Sequence, residues 1–188
     1  TLLISAFHTG FKLRFTITDT NNGYYFLDDI TIKALPSAQT TILTATTNII
    51  ADNNDSCLVS VFVRDAANIP LSGETVYLYS SRSSADTILT NPVVSNSSGT
   101  AYFYVKSTLS GTAVFSAVIN NITIIDTAEC YFRSGTVDTF ASIVSAQSNV
   151  VGNGKTQAKV TIQLLDYYKN PVPDKYVQIS SNDANDTI

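Results

Sequence analysis

The 188-residue chain has no Met and no Trp, a single His, two Cys and few charged residues. Each shortage removes a class of function. His8 is the only histidine and lies among apolar residues, so no Ser-His-Asp or Cys-His constellation can be assembled around it. A Gly-rich phosphate loop, an H-E-x-x-H and a C-x-x-C are all missing. Eleven Lys and Arg are scattered against fifteen Asp and Glu, a net charge of −4, which leaves no basic stripe for a nucleic acid. No apolar run approaches the ~18 residues of a membrane span, so no membrane insertion is expected of this segment. Charged residues make up only 14%, against about 25% in ordinary soluble chains. Ser, Thr and Asn fill their places, yet β-branched and aromatic residues are plentiful, so the composition is that of a folded chain. The chain starts at Thr1 and lacks Met, so a piece of a longer product is expected, and the absence of a leader carries no information.

What is present is a repeat. The segment "RDAANIPLSGETVYLYSS", residues 64–81, returns as "LDYYKNPVPDKYVQISS", residues 165–181. Aligning 42–80 with 143–181 needs no gap and gives an offset of 101 residues. Ile42/Ile143, Ala45/Ala146, Asn48/Asn149, Val59/Val160, Asp65/Asp166, Pro70/Pro171, Val76/Val177 and Ser80/Ser181 are identical. Shared apolar alternation arises easily between β-segments, but Asn, Asp and Pro in register do not. The period is the size of a small domain rather than of a solenoid turn.

Within one period the pattern is all strand. "CLVSVFVRD" puts Cys57, Val59, Val61 and Val63 on one face. "ETVYLYSS" sends Val76 and Leu78 inward, and "GTAYFYVKS" does the same with Ala101, Phe103 and Val105. "TAVFSAV" follows, and "ITIIDTAECYF" carries Ala128, Cys130 and Phe132 with one parity. Turn-rich stretches separate these runs. About seven short strands in about a hundred residues predict an all-β, immunoglobulin-like β-sandwich, in tandem modules.

At these residues the chain resembles the bacterial Ig-like domain of the invasin/intimin type (group 1). That family carries a V-x-V-x-D strand, a G-N-P-V-x-G turn and a later G-x-A…S-T-x-A-G-T…A signature. Asp65, Pro70, Gly73, Gly99, Ala101, Ser107, Thr108, Gly111, Thr112 and Ala117 match it. Ile69 departs from the usual Asn, which Asn170 restores in the second copy. The resemblance covers 37–133 fully and 138–181 in part, and implies a complete sandwich over 36–133 with the first three strands of a second over 134–188. Residues 1–35 belong to neither copy. "YYFLDDITI" is similar to the last strand of jelly-roll carbohydrate-binding and MAM-type modules, so the segment is either the tail of a preceding β-domain or a packed hairpin.

The candidate site residues are few. Asp28 and Asp29 are the best paired carboxylates. The jelly-roll resemblance makes them ligands for a structural Ca²⁺, and the alternative is solvated acids at a strand edge; no other cofactor is expected. Asp65 and Asp166 each stand where a strand enters a turn, where carboxylates bond turn amides. Cys57 and Cys130 share parity with core neighbours at one end of the domain on facing sheets, so they are either a disulfide or two buried thiols. Tyr77, Tyr79, Tyr102 and Tyr104 take the outward parity, as contact residues or as cross-strand pairs, but on two different sheets. Four N-x-[ST] sequons, at Asn54, Asn96, Asn121 and Asn185, are about what chance gives in a chain this rich in Asn, Ser and Thr.

The resemblance implies a structural spacer or stalk segment of a secreted or cell-surface, adhesin-like protein, without catalysis. Its partners would be other domains or copies of the same protein, or a host or cell-surface protein or glycan. Two other functions fit the same sequence. One is a subunit of an extracellular filament with strands exchanged between chains. The other is the non-catalytic accessory region of an extracellular glycan-active enzyme.

Overall fold

A computed structural model describes residues 33–182 and 188; Asp28, Asp29, His8 and Asn185 lie outside the described residues. No α-helix occurs among the described residues. Ten strands build the first module. They are β1 (Ile42–Ala45), β2 (Ile49–Ile50), β3 (Cys57–Phe62), β4 (Thr75–Ser80), β5 (Asp86–Ile88), β6 (Val93–Val94), β7 (Thr100–Ser107), β8 (Gly111–Ile119), β9 (Ile122–Thr123) and β10 (Ala128–Arg133). One sheet has the order β1-β3-β7-β5. The other runs β2-β10-β8-β4-β6, with β9 paired to β8. Every pairing is antiparallel except β2 with β10, where Ile49 and Ile50 lie beside Phe132 and Arg133.

The core follows the alternation read from the sequence. Cys57, Val59, Val61, Val63, Val76, Leu78, Ala101, Phe103, Val105, Ala128, Cys130 and Phe132 are all buried. Phe103 from one sheet meets a layer containing Phe115 and Phe132 from the other, and each such ring adds about 1.5–3 kcal/mol on burial. Thus a period of two residues, held in register by the ladders, places one set of side chains between the sheets. At Gly99 a Cβ would lie 2.9 Å from the Leu71 nitrogen, the Pro70 Cβ and the Val63 oxygen, and φ is +73°. Only glycine lets this turn close against the Pro70 loop.

The run "ITIIDTAECYF" is two strands rather than one. The break serves β1, because the Asp126 carboxylate accepts the Leu43 N–H at 2.8 Å. A side chain there substitutes for a ladder partner at the sheet's edge.

The 101-residue offset is also a structural repeat. β11 (Ile143–Ala146) pairs with β12 (Val160–Gln163), matching β1 with β3: Ile42 opposite Phe62 corresponds to Ile143 opposite Gln163. Isolated bridges join Arg64 to Pro70 and Leu165 to Pro171. Positive φ recurs at Asn48 and Asn149, at Asn68 and Lys169, and at Gly73 and Asp174. The expected third strand of the second copy, over "KYVQISS", is not formed. Its counterpart β4 is held by β6 and β8, and neither has a second copy within the 188 residues. An extended segment without a ladder has nothing to make it a strand.

Candidate functional site

Strand direction defines two poles of the first module. β3 runs from Cys57 to Phe62 and β7 returns antiparallel, Cys57 facing Val105 and Phe62 facing Thr100. The Asp65 turn therefore lies at one pole, and the 107–111 turn between β7 and β8 at the other. The second copy meets the first at this latter pole.

Asp166 organises the docking element. Its Oδ1 accepts the amides of Tyr168 (3.0 Å) and Asn170 (2.8 Å), as Asp65 Oδ1 accepts those of Ala67 and Ile69 at 2.9 Å each. The expected role of both acids is met: a carboxylate in reach of successive amides folds the turn locally. Asp166 does more, because its Oδ2 also accepts the N–H of Gly135 in the connecting segment at 2.9 Å.

Asn170 then spans the two copies. Its amide oxygen accepts the Ser110 N–H at 2.8 Å, and its amide nitrogen donates to the Thr108 carbonyl at 2.9 Å. Asp166 and Asn170 are each only 2% exposed, so these bonds are shielded from competing water. Beside them the Tyr168 hydroxyl donates to the Asp52 carbonyl at 3.1 Å, and a shallow cleft lies between Ile50, Ala51 and Tyr167.

The receiving loop is held from within the first module. Arg82 donates to the carbonyls of Leu109, Ser110 and Gly111 at 3.1–3.3 Å. Its other nitrogens meet Asp86 at 2.9 and 3.3 Å, and its guanidinium lies 5.2 Å from the Phe132 ring centre. The Asp86 side chain is fully buried and also accepts from Ser80. A delocalised, planar cation suits this task, binding a carboxylate along one edge and several carbonyls along another. Composition and periodicity gave no signal for Arg82. The Asn170 position could be singled out only because the first copy has Ile69 there.

The opposite pole is tied differently. Glu74, 1% exposed, forms an ion pair with Lys33 and accepts from the Asn120 amide.

Cys57 and Cys130 come together as free, fully buried thiols. The Cys57 thiol donates to the Thr46 carbonyl at 3.1 Å. A hydrogen bond donated to Cys57, reinforced by burial, pushes the Cys130 thiol above its usual range, which keeps it protonated and unreactive near neutral pH. Tyr77 and Tyr79 on β4, and Tyr102 and Tyr104 on β7, are all exposed and lie on different sheets. They do not converge. Among the described residues no three His, Cys, Asp or Glu group so as to hold a metal ion, and no helix is long and apolar enough to cross a membrane.

Solved structures share this architecture. Invasin, a bacterial integrin-binding protein, superposes with a TM-score of 0.63 at 16% identity, covering 76% of this chain and 29% of its own. InvD of Yersinia pseudotuberculosis gives 0.57 at 24% identity, over 71% of this chain and 39% of its own. The Escherichia coli adhesin FdeC gives 0.56 at 18% identity, over 77% and 46%. The chain thus spans less than half the length of each. Residues 39–133 match the bacterial Ig-like domain (group 1), half of the chain, with the sandwich, the Asp65 turn and Gly99 in place. The chain belongs to the bacterial Ig-like domain (group 1) family.

Proposed function

We propose that this chain is a spacer segment of an adhesin-like stalk at the cell surface. The observation that carries the proposal is the polarity of the repeat. The docking turn of the second copy sits on one pole of the first module, while the equivalent turn of that module, at Asp65, lies at its other pole. Contacts repeated in this sense stack modules head to tail. With the two contacts at opposite poles of a module they advance the stack along its long direction, and compact sandwiches on short connections then make a semi-rigid rod. Catalysis has no place in this role. In this reading, binding of a host or cell-surface protein or glycan, such as the integrin binding of invasin, is not the task of this segment.

Exchanging residues 42–133, in the protein that carries them, for an unrelated sandwich of equal length tests the role. A spacer keeps adhesion near its original level after the exchange. Loss of adhesion despite intact surface display would assign the binding to this segment and overturn the proposal.

A further inference from the structure

The two copies of the docking turn differ where it matters for docking. Both close on an aspartate that accepts two amides, and both continue into Pro. The residue before that Pro is Asn170 in one copy and Ile69 in the other. Asn170 is 2% exposed and meets one N–H and one C=O of the preceding module. Ile69 is 57% exposed and has neither a donor nor an acceptor in its side chain.

We infer that the residue before this Pro selects how a module is fixed to the one before it, and that the Thr108–Ser110 pole is a receptor for modules carrying Asn there. A planar amide presents a donor and an acceptor side by side, matching the paired Thr108 C=O and Ser110 N–H. Aliphatic side chains in that place would leave both peptide groups covered and unpaired, which is costly. Selectivity therefore comes from the penalty on the wrong residue as much as from the bonds of the right one. Arg82 is the positioning residue on the receiving side. By holding the carbonyls of Leu109, Ser110 and Gly111, it keeps the Ser110 N–H aimed outward. The purpose of such a joint, a stiff link between spacers, rests on the stalk role; its existence does not.

Asn170→Ile in the 188-residue chain, which installs the first copy's residue, is the direct test. Backbone amide exchange is read at Ser110, with β7 and β8 amides as internal controls. The Ser110 amide is expected to exchange on the order of tenfold faster, while β7 and β8 stay unchanged. Rotational correlation times of β11 and β12, from nitrogen relaxation, are expected to fall toward independent motion. Asn170→Ala, which adds no bulk, guards against a variant whose larger Ile side chain unfolds the second copy. It loses the bonds to Ser110 and Thr108, with those to Asp166, so its correlation times should fall as well. Unchanged Ser110 exchange in Asn170→Ile, or unchanged relaxation in both variants, would overturn the inference. Adhesion after the sandwich exchange described above reads the stalk role separately, so either can fail alone.

Discussion

Residues 42–72 and 143–173 fold the same way over unlike amounts of core. The first stretch places Leu43 at 4% and Val59 at 0% exposure, whereas in the second their counterparts Val144 and Val160 are 68% and 44% exposed. Their turns nevertheless agree bond for bond. Asn68 N–H to Asp65 and Lys169 N–H to Asp166, or Leu71 N–H to Val63 and Val172 N–H to Leu164, are the same contacts 101 residues apart. So the turn is specified locally, by an aspartate, a left-handed residue and a proline. Burial of the strands is specified by distant sequence, from β7, β8 and β10. β4 belongs to the second category: its counterpart over 176–181 keeps the alternation of a strand and forms none.

The largest test of this contrast lies at Cys57, whose counterpart is Ala158. Within the 188 residues only the first module carries a pair of cysteines on facing sheets. Refolding with oxidised glutathione is expected to join Cys57 to Cys130, whose thiols adjoin in the core, with both protons and two electrons passing to the glutathione disulfide. Closing a loop of more than seventy residues would stabilise the module by about 3–4 kcal/mol in the chain-entropy description. Intact mass two hydrogens below that of the reduced chain confirms the bond; identical masses leave two thiols.

Next in size is the equivalent pair Val61 and Ile162. Val61→Ala should cost about 2 kcal/mol in urea unfolding, because it opens a hole between packed sheets. Ile162→Ala, at a half-buried position outside that core, should cost less than about 1 kcal/mol on the same transition. Equal losses would mean that the second copy shares the first module's core.

Asp65→Ala is expected to cost about 1–2 kcal/mol, since two turn amides lose their acceptor. Asp166→Ala should leave the unfolding of the first module unmoved while releasing the amides of Tyr168, Asn170 and Gly135 to exchange. Smallest of all, Tyr77→Ser or Tyr102→Ser should shift stability by less than about 1 kcal/mol, each on its own sheet and with no coupling between them.

What could be read from the sequence divides along the same line. Inward parity was legible because alternation is a property of each strand by itself, and every residue assigned to the core from Cys57 to Phe132 is buried. The roles of Asp65 and Asp166 were legible for the same reason. Pairing was not. The parallel contact of β2 with β10, the split that frees Asp126 to bond Leu43, and the missing third strand of the second copy all depend on residues remote in the chain. Arg82 was illegible because its partners are three backbone carbonyls, which no side-chain pattern announces. Asn170 stood out against Ile69, but its partner did not.

An amide-exchange map of the 188-residue chain tests most directly the claim that turn and joint are built locally while strands are built by their partners. It should show the strongest protection in β3, β7, β8 and β10, intermediate protection at Ser110, Tyr168 and Asn170, and little over 176–181. Tyr168 and Asn170 exchanging as fast as residues 176–181, with β3 still protected, would contradict it.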